Sequence, residues 1–232
     1  MNDSLTVILY AVICAAISYL LGSISFAVIF SKLFAKMDVR DSGSGNAGMT
    51  NVLRTVGKLP AVLTLVCDLS KAVVAIKVSE LIFASLPFTE VARVGAYVGG
   101  IFVVLGHIFP VFFNFRGGKG VLTCAGVFLV LDWQLCLISI AIFIVIALCT
   151  GYVSLGSILA MASAPVLTFI VGFTLRADTL LPRTVIWQTV FLIVLAGTSI
   201  FMHRENIKRL LNGTENCFKK KKNDKNPNSD NK

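Results

Sequence analysis

Charge is scarce in this sequence. Of its 232 residues only 14% are Asp, Glu, Lys or Arg, against 56% hydrophobic residues, and the mean hydropathy is +0.84. That scarcity excludes a single soluble core of this size. Catalytic signatures are missing too. No serine triad is visible, and metal-ligand spacing is absent. The HxxxxD pattern of many glycerolipid acyltransferases fails at both histidines, since Phe112 follows His107 and Lys208 follows His203 at the fifth place. The six cysteines (Cys14, Cys67, Cys124, Cys136, Cys149, Cys217) make no CxxC pair, so they read as small packing residues. The start of the chain lacks a basic n-region and a small-residue cleavage site. Leu5–Phe30 therefore reads as a retained first span.

What is present is a series of apolar runs near membrane-spanning length. The expected fold is all-α, with about seven transmembrane helices: Leu5–Phe30, Lys58–Leu86, Val91–Asn114, Lys119–Leu131, Gln134–Thr150, Leu155–Leu175 and Thr184–Met202. The fourth is shorter than the roughly 20 residues a span needs. It must tilt, thin the bilayer, or pair with the fifth as a re-entrant hairpin around an Asp132-Trp133 corner. Residues 1–216 form one membrane domain in this reading, and residues 217–232 a basic, disordered tail.

Basic residues give the orientation. Lys32, Lys36, Arg40, Arg54, Lys58, Arg116, Lys119, Arg204, Lys208 and Arg209 fall on one side of the spans, and Arg93, Arg176 and Arg183 on the other. The positive-inside rule puts the first side in the cytoplasm, with the N-terminus outside and the C-terminus inside. The net charge of +9 is absorbed by this bias and the tail, and no nucleic-acid-binding fold accompanies it.

Three polar stretches interrupt the apolar runs, all on the cytoplasmic side: Asp41–Arg54, Gly106–Gly120 and His203–Glu215. In the first, Gly43, Gly45 and Gly48 let the backbone curl so that N–H groups converge on an anion. Ser44, Asn46, Thr50 and Asn51 add polar side chains. A helix over Met49–Val56 would place Arg54 one turn past Thr50, able to fork onto a phosphate. Gly43 to Thr50 nearly matches a Walker A motif, but Met49 replaces its lysine and no strand precedes it, so nucleotide hydrolysis is not expected. In the second stretch, Arg116 and Lys119 stand among Gly117, Gly118 and Gly120 as a second anion cradle. Phe109, Pro110, Phe112, Phe113 and Phe115 beside it read as interfacial anchors, with an apolar wall for an acyl chain as the alternative. His107 reads as structural. In the third, His203 and Asn206 share one helical face, where an imidazole can bind phosphate or act near neutral pH. Ser154, between the fifth and sixth spans, either joins this site or caps the next helix. Asp68 and Lys71, at i,i+3 inside the second span, read as a buried ion pair with no third charge evident. Cations, donors, one histidine and one amide suit an electrophile that arrives already activated. A transporter for a small organic phosphate is the rival, although the candidate groups lie at one membrane edge and no internal repeat is visible.

These stretches resemble the PlsY-type acyl-phosphate:glycerol-3-phosphate acyltransferases, a family of bacterial membrane enzymes. The resemblance runs from Leu21-Gly22-Ser23-Ile24 to Gly213-Thr214-Glu215 and is strongest in the three polar motifs. Ser25 stands where the family often has proline, and Met49 where alanine is usual. The resemblance implies transfer of a fatty acyl group from acyl-phosphate to the 1-hydroxyl of glycerol-3-phosphate, in the bacterial cell membrane and without a cofactor. The products are 1-acylglycerol-3-phosphate (lysophosphatidic acid) and phosphate. It implies as well an upstream enzyme that makes the acyl-phosphate. By motif, Ser44–Thr50 would hold the acyl-phosphate head, while Arg54, Lys119, Ser154, His203 and Asn206 surround glycerol-3-phosphate. Whether His203 or a substrate phosphate oxygen takes the hydroxyl proton stays open at this point.

Overall fold

The computed structural model describes residues 3–86 and 92–218. The tail from Lys219 and the start of the third expected span at Val91 lie outside the described residues. The described elements are helical: α1 (Asp3–Gly22), α2 (Phe26–Ala35), α3 (Met49–Thr55), α4 (Lys58–Ala84), α5 (Ala92–Ile108), α6 (Val121–Leu131), α7 (Trp133–Thr150), α8 (Val153–Phe173), α9 (Pro182–Met202) and α10 (Arg204–Leu211). Six stretches of the described residues are long and apolar enough to cross a membrane, with α6 a shorter apolar helix beside them. Their outward faces carry bare large apolar side chains, such as Leu81, Trp187 and Phe201, each more than 60% exposed. That is how helices face lipid rather than water.

The interior is built differently. Helices without a hydrophobic drive to associate need small residues and polar contacts at their crossings. Ser18 of α1 and Ser79 of α4 share a hydrogen bond of 3.2 Å, and the Cys14 thiol reaches the Ser79 carbonyl. Where α1 crosses α5, the backbones nearly touch. A Cβ on Gly22 would stand 2.2 Å from the Val103 carbonyl oxygen, and one on Gly106 2.2 Å from that of Tyr19.

The expected first span is one apolar stretch, Ser4–Ala35, but not one continuous helix. The chain breaks at Ser23–Ser25, and α2 continues separately. The break is held from outside: Ser23 Oγ accepts the Val111 amide, and the Tyr19 hydroxyl donates to the Phe109 carbonyl at 2.7 Å.

α6 has only 11 residues, about 16 Å of helix, against roughly 30 Å of hydrocarbon core. Its far end is fixed nonetheless. Asp132 caps α7 by accepting the Leu135 amide, and Arg176, between α8 and α9, donates to both Asp132 and Gln134. α6 therefore runs from the Lys119 end of the bundle to the Arg176 end, and its shortness leaves the Lys119 end recessed.

Gly106→Val should push α1 off α5 and cost about 1–3 kcal/mol, as overpacking does. The measurement is the apparent Tm of detergent-purified protein; an unchanged Tm would contradict the contact.

Candidate active site

The recess above α6 is a cavity of about 490 Å³. All three polar stretches reach it. From the first come Ser44, Asn46, Gly48, Thr50, Asn51 and Arg54; from the second, Lys119 and Gly120; from the third, His203 and Asn206, joined by Ser154. Its inner part is apolar, with Leu122, Phe128, Phe143 and Met161 in the wall.

Asn51 organises the first loop. It is 2% exposed. Its amide nitrogen lies within hydrogen-bond distance of the carbonyls of Val39, Ser42 and Asn46, and its Oδ1 accepts the Ser44 amide at 2.9 Å. Gly43 and Gly45 take positive φ, as a curled loop requires. The expected nest of amides is nevertheless largely occupied. Gly45 donates to Ser42 and Gly48 to Asn46, so the loop's own carbonyls take N–H groups that the sequence assigned to an anion. What the loop presents instead are the side chains of Ser44, Asn46 and Thr50 and, from α3, Arg54. Arg54 is exposed and has no hydrogen bond or ion pair among the described residues.

The second stretch also differs from a simple cradle. Gly117 and Gly118 lie back on the end of α5, donating to the Ile108 and His107 carbonyls at 3.2 and 3.1 Å. A Cβ on Gly117 would sit 2.0 Å from the His107 carbonyl oxygen. These two glycines serve close backbone approach, and neither they nor Gly43 and Gly45 line the cavity. Gly120, at φ +81°, turns the chain into α6. Arg116 is exposed and outside the cavity; its carbonyl accepts from Arg40. Of the two cations in this stretch, only Lys119 enters.

Lys119 heads a chain of partners. Its Nζ donates to Asn206 Oδ1, the Asn206 amide donates to Glu215 Oε1 at 2.8 Å, and Arg209 Nε donates to Glu215 Oε2 at 2.8 Å. Asn206 thus bridges a cation to an anion at both ends of its amide. Burial pushes the Lys119 ammonium down to about 8, with Glu215 opposing and Arg209 and Arg54 assisting. Burial works against the Glu215 carboxylate, yet the hydrogen bonds from Asn206 and Arg209 hold it below its usual range. His203 is 3% exposed, and burial lowers it to about 4 despite the bond to Ser199. It is neutral near pH 7. Its Nδ1 donates to the Ser199 carbonyl at 2.8 Å, which leaves Nε2 as the unprotonated nitrogen. Ser154 lies two residues after Tyr152, the cap of α8, so it is not the cap; its buried hydroxyl faces the Glu215 carboxylate without a hydrogen bond of good geometry.

Glu215 and Arg209 were read only as parts of a motif. Their spacing of six is set by a turn at Gly213, with φ +67°, and no helical periodicity predicts it. The cavity also receives His107 and Asp68, which the sequence reading kept out of the site. His107 lies against the Asp68–Lys71 pair as a third polar group and not as a third charge, since its Nδ1 accepts from Lys71.

The comparisons with known proteins agree on one family. The glycerol-3-phosphate acyltransferase family profile matches residues 12–213. The chain is 40% identical over 211 residues to the glycerol-3-phosphate acyltransferase of Thermoanaerobacter sp. strain X514, covering 89% of this chain and 95% of that one. It is 39% identical to that of Clostridioides difficile strain 630, covering 91% and 97%. This chain belongs to the PlsY-type glycerol-3-phosphate acyltransferase family. It also resembles the crystal structure of PlsY, an integral membrane glycerol 3-phosphate acyltransferase, in its glycerol 3-phosphate form. The TM-score is 0.74 and the identity 36%, covering 90% of this chain and 96% of that one. The lysophosphatidic acid form gives a TM-score of 0.72 at 35% identity, covering 90% and 95%. The protein is accordingly a multi-pass membrane acyltransferase of this family.

The Lys119 ammonium should titrate near 8, below the ordinary 10.5. Between those values the unfolded chain binds more protons than the folded one, so stability should rise with pH across that window. Reductive methylation with ¹³C-formaldehyde, assigned with Lys119→Arg, gives the value by NMR. Glu215→Gln should lower it further; a resonance titrating at 10.5 would refute the buried setting.

Proposed function

We propose that this protein transfers a fatty acyl group from acyl-phosphate to the 1-hydroxyl of glycerol-3-phosphate, at the cytoplasmic face of a bacterial cell membrane. The observation that carries the reading is one cavity with two halves: a polar mouth with two available cations, Arg54 and Lys119, and an apolar interior between α4, α6, α7 and α8. A phosphate ester of glycerol fits the mouth, and a fatty acyl chain fits the interior. Family membership supports the acceptor. Cations, hydrogen-bond donors and one neutral histidine suit a donor that arrives already activated.

In this reading Arg54 and Lys119 bind phosphate oxygens, with Asn206 aiming Lys119. Ser44, Asn46 and Thr50 hold the acyl-phosphate head. Ser154 and His203 face the acceptor, and His203 Nε2 accepts a hydrogen bond from its 1-hydroxyl. The hydroxyl oxygen attacks the acyl carbonyl carbon, the bond from that carbon to the phosphate oxygen breaks, and phosphate leaves. Two phosphorylated groups side by side need the local positive charge that Arg54, Lys119 and Arg209 provide against Glu215. The basic residues of α2, of the loop to α3 and of α10 make this the cytoplasmic end under the positive-inside rule.

Purified protein should release phosphate from acyl-phosphate only when glycerol-3-phosphate is present. Lys119→Ala and His203→Ala should each lose turnover by at least about 100-fold, the usual size of such a loss. Equal rates with acyl-CoA as sole donor would overturn the donor; uptake of glycerol-3-phosphate into proteoliposomes without acylation would favour a transporter.

Phe128 and Met161 line the cavity on one side and a small void with Cys124, Ala164, Leu192, Leu195 and Ala196 on the other. Removing either side chain joins the two spaces. Phe128→Ala should therefore shift the preferred acyl chain to longer lengths in a competition assay with mixed acyl-phosphates, and an unchanged product profile would place the chain elsewhere.

A further inference from the structure

We infer that Asp68, Lys71 and His107 form a buried positioning cluster that sets the Lys119 loop in place for catalysis. The inference rests on the reading of Lys119 given above. Lys71 sits on α4 with its side chain 3% exposed. Its three N–H groups have three acceptors: the carbonyls of Gly22 at 3.0 Å and Ile24 at 2.8 Å, and His107 Nδ1 at 3.1 Å. The first two flank the break between α1 and α2. The third is on the last turn of α5. One ammonium therefore joins three elements at the places where their helical hydrogen bonding stops.

Asp68 balances the charge. Its Oδ1 lies 2.9 Å from Lys71 Nζ and 3.6 Å from His107 Nδ1, and makes no hydrogen bond of good geometry among the described residues. The pair is thus held mainly by charge. Because Nδ1 accepts from Lys71, the imidazole proton resides on Nε2. Nε2 lies against Gly118, where a Cβ would stand 2.2 Å away. The His107 carbonyl accepts the Gly118 amide, and the Ile108 carbonyl that of Gly117. Lys119 is the next residue. Contacts run unbroken from Lys71 through His107 and Gly118 to the cation that meets the substrate.

A structural role alone is a poor account of this cluster. An ion pair in an apolar interior contributes little net stability, and apolar residues of similar size often replace one without loss. Ionisable groups at membrane depth are costly unless used. What apolar residues cannot do is hold the freed carbonyls of Gly22 and Ile24 and fix the imidazole against Gly118. A displacement of about 1 Å at Lys119 is enough to lower turnover by roughly 100-fold.

The test compares variants in detergent-purified full-length protein. His107→Phe keeps bulk but removes the acceptor for Lys71; His107→Asn restores an acceptor near the position of Nδ1. The expected result is a kcat at least 10-fold lower in His107→Phe, with KM for glycerol-3-phosphate changing less, and recovery of most of the rate in His107→Asn. The ¹³C-methyl resonance of Lys119 should titrate higher in His107→Phe, as the ammonium leaves its pocket among Glu215, Arg209, Arg54 and His203, and return in His107→Asn. The double variant Asp68→Leu/Lys71→Met removes the charges together; it should fold yet lose turnover at least 10-fold. If it fails to fold, the His107 pair decides. Wild-type kcat and an unmoved Lys119 titration in His107→Phe would overturn the cluster's role while Lys119→Ala remains inactive. Wild-type turnover in Lys119→Ala would instead overturn the reading of the site itself.

Discussion

Within an apolar slab every main-chain N–H and C=O must find a partner inside the protein, because no water is there to supply one. This chain interrupts its helices several times, and each interruption is answered by a named side chain. Asn51 holds the loop before α3, Lys71 the carbonyls between α1 and α2, Arg40 the carbonyls of Phe113 and Arg116, and Ser199 the carbonyl of Lys119. Where water does not reach, each orphaned group would cost roughly 1–3 kcal/mol, and these contacts remove that cost.

The short α6 follows from the same constraint. A full-length helix would carry Gly120 to the membrane surface and fill the space above it with side chains. Eleven residues stop it short, and Gly117–Gly118 fold back on α5 to deliver Lys119 into the space that is left. Burial then lowers the ammonium to about 8 rather than to neutrality, because Glu215 opposes it. At pH 7 the group is still mostly charged, yet poorly solvated, and it attracts a phosphate more strongly than a surface lysine would. Asn206 keeps Glu215 from pairing with Lys119 directly. The carboxylate lies one amide away, so it sustains the charge without occupying the cation.

Much of this was legible in the sequence. Apolar length located the spans, and α3 over Met49–Thr55 falls within a residue of its expected bounds. The short fourth helix, and the grouping of Ser44, Arg54, Lys119, Ser154, His203 and Asn206 around one cavity, followed from ordered motifs placed on one side. What stayed hidden depended on which of two partners a group takes. An amide such as Asn51 can serve a ligand or its own loop, and spacing does not distinguish these uses. Gly117 and Gly118 suit an anion or a close backbone contact equally well. Arg116 differs from Lys119 only in where the chain turns. The break after Gly22 is held by contacts with α5 and the residues after it, some 80 positions away in the chain, and the local Gly22-Ser23-Ile24-Ser25 is too weak a signal to place it. His107 was passed over because a lone histidine near a helix end says nothing of a lysine on another helix.

The geometry also bears on the proton in the proposed reaction. As the ester bond forms, the glycerol hydroxyl must lose its hydrogen. His203 has one free nitrogen, Nε2, and at about 4 it is a weak base. It can accept a hydrogen bond and so aim the hydroxyl oxygen, but it holds a full proton poorly near pH 7. Phosphate oxygens, with a second pKa of about 6, bind a proton better than an imidazole lowered to about 4. The departing phosphate is therefore the better final acceptor, and the balance closes without a protonated enzyme: ester on one side, hydrogen phosphate on the other. Substrate binding can shift His203, because a dianion placed beside it favours the imidazolium. A shift of that origin relaxes only when both the inorganic phosphate and the phosphorylated product have left the site, so the neutral histidine marks the emptied enzyme.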